Sequence, residues 1–129
     1  MKRKPVRILF YITLIIIGFF VLFINSKIYH TDPPSSGEYY YSNFLRSNYS
    51  YISGSCLFLI GLITGFLFKA NPWATGISLI SIFPITAIYE ATIYRGSHNL
   101  IPFELVVHFL FSLPAVIGTY LGGFLKTKN

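Results

Sequence analysis

Four long apolar runs alternate with polar stretches along this chain, and that alternation predicts the elements. The first run follows Lys2, Arg3, Lys4 and Arg7 and extends unbroken from Ile8 to Ser26. The second covers Tyr51 to Phe68 and stops at Lys69, the third begins at Trp73, and the fourth begins at Pro102 and closes before Lys126 and Lys128. A helix needs about 20 mainly apolar residues to cross a hydrocarbon layer. The pattern therefore predicts an all-α integral membrane protein, a single domain over 1–129, with spans at about 7–24, 51–68, 73–91 and 102–125.

Local residues sharpen the ends. Asn71 suits a helix N-cap and Pro72 the first helical position, so K-A-N-P-W reads as a tight turn in an antiparallel hairpin. In the polar segment 25–50, P-P-S-S-G reads as a turn and E-Y-Y-Y-S-N-F-L-R-S as a short helix at the interface. A signal peptide is the alternative for the N-terminus, but its apolar core is about 7–15 residues long and ends in small residues. Here the run is longer and N-S-K-I-Y-H follows it, which predicts a retained helix.

Charge orients the spans. With both termini inside, the inner side holds Lys2, Arg3, Lys4, Arg7, Lys69, Lys126 and Lys128, and the outer side only Lys27, Arg46 and Arg95. Cytoplasmic loops carry the excess of Lys and Arg. The expectation is thus two antiparallel hairpins in a cell membrane, both termini cytoplasmic and the 25–50 loop outside. Tyrosines gather on that outer side, at Tyr29, Tyr39, Tyr40, Tyr41, Tyr49, Tyr51, Tyr89 and Tyr94, and read as an aromatic belt at headgroup level. Asn48-Tyr49-Ser50 matches a glycosylation sequon that abuts the membrane.

Composition excludes two classes. Only 11% of residues are charged, against about 25% in soluble domains, so an ordinary soluble fold is excluded. The net charge of +6 sits at the ends of apolar runs rather than on one face, so the partner it implies is a lipid bilayer and not nucleic acid. The lone Cys56 has no intrachain disulfide partner and reads as a small buried hydrophobe.

Two glycine pairs predict where helices meet. Gly61 with Gly65, and Gly118 with Gly122, let backbones approach closely, within one chain, across a homo-oligomer or against a membrane partner protein. The first span offers only Thr13 and Gly18 as small residues, which places it at the bundle's edge.

The candidate chemistry lies between Tyr89 and Phe111, where Glu90, Arg95, His98, Glu104 and His108 interrupt an apolar chain. An ionisable group beside a membrane span is costly unless paired or wetted. Glu104 and His108, four apart, share one helix face with Ala115, Thr119 and Gly122, so both are expected to point into the bundle. Taking Pro84 and Pro114 as mid-membrane puts Glu90 and His108 at one depth, roughly 9 Å above that plane, and Arg95 and Glu104 at roughly 15–16 Å. Two pairs follow as expectations, Glu90 with His108 and Arg95 with Glu104.

Structural readings stand beside the functional ones. Glu104 in a first helical turn is favoured by the helix dipole alone, and Arg95 and His98 fit a solvated loop. Glu90, His98, Glu104 and His108 include metal-ligand types but match no standard spacing, and a proton relay is equally compatible. Three functions remain open: an outer-facing polar pocket that binds or moves a small ligand or ion, an accessory protein acting through helix and loop contacts, and a membrane-embedded enzyme using Glu104 and His108. No residue pattern names a substrate or cofactor.

Overall fold

Among the described residues the apolar runs fold into helices and connecting turns only. The computed structural model describes residues 4–99 and 101–128. The helices are α1 (Lys4–Ile28), α2 (Tyr40–Ser47), α3 (Tyr51–Phe68), α4 (Pro72–Ile80), α5 (Ile82–Ile93) and α6 (Ile101–Lys128). Lys2 and Arg3 of the basic N-terminal segment lie outside the described residues.

Three helices are long and apolar enough to cross a membrane, at Val6–Ile28, Tyr51–Phe68 and Ile101–Thr127. The third apolar run is two helices, α4 and α5, bent by 44° to each other, and counts as a fourth span if the pair crosses as one. Pro84 explains the break. It has no N–H to offer the carbonyl of Ile80, and its ring crowds that carbonyl, so the helix is interrupted at Ser81. The predicted cap at Asn71 holds, its Oδ1 accepting from the Ala74 amide at 3.0 Å, and Ser50 with Ser53 closes a reciprocal cap on α3 that the sequence reading did not name.

Close contacts give the helix directions. The Phe10 ring lies 5.3 Å from Phe68, while Asn25 at the other end of α1 donates to the Asn48 carbonyl, so α1 runs antiparallel to α3. Gly61 meets Ala115, Gly65 meets Thr119, and Lys126 Nζ donates to the Leu67 carbonyl at 2.8 Å, so α3 and α6 run parallel. The bent pair carries the chain back between them. One end of the molecule therefore holds Arg7, Lys69 and Lys126, and the other holds α2 and the turn at Tyr94–His98.

The glycine prediction holds within one chain. A Cβ on Gly61 or Gly65 would fall inside 3.0 Å of the Ala115 or Thr119 carbonyl oxygen, and one on Gly118 or Gly122 would meet the Phe58 or Leu62 carbonyl equally closely. One close contact on α1 adds to the expectation: Gly18 lies against the Leu79 backbone, so α1 packs tightly on α4 there. Away from these seams the helices present Ile8, Ile12, Ile16, Leu59, Ile63 and Val106 outward, a surface suited to lipid.

Candidate functional site

The site forms where α2, α5, α6 and the turn before α6 converge. Ser97 donates both its amide and its hydroxyl to the Tyr94 carbonyl, and Gly96 (φ +100°) and His98 (φ +54°) adopt left-handed backbone. These bends fold the turn back on itself and direct His98 inward. The side chain expected in a solvated loop is 3% exposed.

Each His98 ring nitrogen meets a carboxylate from a different helix. Nδ1 lies 2.7 Å from Glu104 Oε2 on α6, and Nε2 lies 2.8 Å from Glu90 Oε2 on α5. Glu90 also reaches across to α2. Its Oε1 accepts the backbone amides of Tyr41 at 2.7 Å and Ser42 at 3.1 Å, and its Oε2 accepts the Ser42 hydroxyl. Those amides belong to the first turn of α2, whose own N-cap residue, Tyr39, supplies no side-chain acceptor. Glu90 therefore caps α2 from another helix, where free N–H groups and the dipole favour an anion. Tyr39 contributes instead through its hydroxyl oxygen, which accepts the His98 amide at 3.3 Å.

The electrostatics favour a proton on His98. Burial pulls its pKa down, but hydrogen bonds and charge from Glu104 and Glu90 outweigh burial and leave it above the usual histidine value. Only imidazolium can donate from both nitrogens at once, and two ionised carboxylates are acceptors only. The three groups form one coupled unit with a shared proton inventory.

The expected pairings are thereby corrected. Glu90 is met by His98 and not by His108, and Glu104 is met by His98 and not by Arg95. Spacing along a helix sets depth but not contact, and the folded-back turn offers both carboxylates a nearer partner. Among the described residues both ion pairs belong to His98, and Arg95 is exposed. His108 does point inward with Ser112, Ala115 and Thr119, as its helix face predicted, but it faces the Phe83 ring at 5.2 Å. The candidate metal ligands share no common point, and no group of three or more ligating side chains able to hold an ion occurs among the described residues. The expected pocket is a closed cluster: Glu90 is 1% exposed, and Glu104 is its wettest member.

Ser42 and the amides of α2 carry no signal in the sequence pattern, and Tyr39 reads there only as part of the aromatic belt. In the structure Ser42 and Leu45 are the buried residues of α2. A second polar knot fastens the other side of the same region. Asn48 is fully buried, its Nδ2 donates to the Phe44 carbonyl at 2.8 Å, and its Oδ1 accepts from the Thr31 hydroxyl. The sequon nitrogen is thus enclosed in the folded protein, not offered to a glycan.

Fold and site together define an all-helical protein with three or four helices able to cross a membrane and a buried carboxylate–imidazole–carboxylate cluster at one end. Compared with protein-family models, curated proteins and solved structures, the chain matches none.

Proposed function

We propose that this chain is a four-span protein of the cell membrane with both termini in the cytoplasm, and that its outer-end cluster binds a proton whose occupancy governs how firmly α2 is held. The topology rests on the bent α4–α5 pair, which must return the chain between two parallel helices, and on the basic residues at the opposite end. It is checked by thiol labelling in a Cys56→Ser background. Gly37→Cys, at a site where an added side chain meets open space, should react with an impermeant reagent on intact cells. Ala70→Cys should react only after permeabilisation, and the reverse pattern would overturn the orientation.

The single observation that carries the proton reading is the seating of His98 between two carboxylates, one of which is also the cap of α2. Protonated His98 neutralises part of that charge and keeps Glu90 oriented toward the α2 amides. Its loss leaves two carboxylates sharing a buried site, where like charges repel. The ion bound or moved is then a proton. The proton reading is favoured over the enzyme alternative because the resting partner of Glu104 is His98. The accessory alternative loses its glycine faces, which are spent inside the chain, and keeps only the exposed tyrosines around Tyr41 and Tyr89.

The pH dependence has a definite sign. A histidine whose folded pKa lies above its unfolded value adds stability that is complete below the unfolded pKa and disappears as pH rises through the folded pKa. Melting temperature in detergent should therefore fall on going from mildly acidic into alkaline buffer. In His98→Gln that fall should be absent over the same window. Superimposable profiles for the two proteins would remove His98 as the titrating group.

A further inference from the structure

His108 is the feature the site leaves unexplained. It is 5% exposed in the middle of the bundle, and its Nδ1 has no hydrogen-bond partner among the described residues. A buried polar atom without a partner is rare and calls for a reason. The ring packs against Phe83 of α5 and lies near Phe111 on its own helix, which offer it no acceptor. Tyr49, stacked on Phe111, has already given its hydroxyl to the Phe111 carbonyl. The charged and titratable groups acting on His108 are Glu104 from α6, Arg46 from α2 and His98 from the turn.

Of these, Glu104 stands one helical turn before His108 on the same face, and helical side chains lean toward the N-terminal turn. His108 thus leans toward the turn that carries Glu104, and its unpartnered Nδ1 is the ring atom left for a carboxylate to meet. Glu104 is also the least buried member of the cluster, at 19% side-chain exposure, so it has room to change rotamer.

We propose that His108 is a second proton-binding site, loaded through Glu104, which exchanges His98 Nδ1 for His108 Nδ1 as its partner. The inference rests on the proton reading above. His98 gives its Nδ1 proton to Glu104 Oε2 and becomes neutral, keeping its Nε2–H toward Glu90. Glu104, now a neutral acid, turns to His108 and gives up that proton to Nδ1, returning to carboxylate beside a new imidazolium. One proton moves, and total charge is unchanged. The orphan nitrogen is the empty half of this exchange, and the relay runs from the outer end toward the membrane interior.

The test is nitrogen NMR of the full chain with labelled histidine in lipid nanodiscs, the three imidazoles (His30, His98 and His108) assigned by single substitution. In the native protein His108 should take up a proton at Nδ1 as the buffer is made acidic, within the pH range over which the protein stays folded. Glu104→Gln should lower the His108 midpoint by about one pH unit or more, since an opposing charge nearby favours the protonated form. His98→Gln should raise it, because Glu104 is then left to His108 alone. A His108 that stays neutral throughout that range in the native protein overturns the proposal, with no variant required. So does a midpoint that does not move in Glu104→Gln. Failure of the proton reading itself shows elsewhere, in the melting profile of His98→Gln, and His108→Asn should leave that profile's alkaline fall in place.

Discussion

Glu90→Ala is expected to destabilise the protein by about 3–5 kcal/mol, the range for removing one partner of a buried charged network. The reason is the number of groups that carboxylate serves. It accepts the Tyr41 and Ser42 amides and the Ser42 hydroxyl, and it meets His98 Nε2, all in a setting 1% exposed. Alanine leaves the first turn of α2 uncapped and a buried imidazole facing only Glu104. Hydrogen exchange at the α2 amides should rise sharply, while the α3–α6 seam stays protected. Because the partners act as a unit, Glu90→Ala with His98→Ala should cost less than the sum by about 0.5–3 kcal/mol. An exposed control, Glu38→Ala, should stay within about 0.5 kcal/mol of the native protein. A loss below 1 kcal/mol at Glu90, or strict additivity with His98, would show that α2 is held by other means.

Substitution in the α3–α6 seam should have the second large effect. At Gly61 and Gly118 an added Cβ would meet a carbonyl oxygen of the facing helix, and backbone cannot swing aside as a side chain can. Gly118→Ala should cost at least about 1–3 kcal/mol, as overpacking does, and Gly118→Leu more. Gly123 supplies the control on the same helix. A Cβ there meets nothing within 4 Å, so Gly123→Ala should be neutral or slightly stabilising through helix propensity. Thermal unfolding in detergent reads both. Equal melting temperatures for Gly118→Ala and Gly123→Ala would mean that the seam is not a close backbone contact.

These glycines show how much of the packing the sequence carried. Two small residues four apart on an apolar helix have few uses other than close approach, so the contact faces are legible from sequence, while what they meet comes from the fold. The same holds for the turn at Asn71-Pro72 and for the short helix after Gly37, where capping chemistry and turn residues act over a few positions. Gly18 was harder to place, since one isolated glycine says that something approaches but not what. Pro84 served in the sequence only as a depth marker within a single span, and the break at Ser81 follows from the carbonyl four residues before the proline.

The sequence by itself determined the helical class, the lengths of the apolar runs, the inward face of α6 and the stretch in which the ionisable groups gather. Each depends on periodicity or composition, which short-range geometry converts directly into structure. Only the tertiary structure decided who meets whom. Glu90 and His108 stand at similar depths by residue spacing and both are buried, yet equal depth on two helices does not make two side chains meet. A left-handed bend at Gly96 and His98 buries an imidazole that the pattern assigned to solvent. The acceptor for the α2 amides comes from 48 and 49 residues away. That contact has no local signature, because it is the burial of α2 against α5 that makes a carboxylate necessary there.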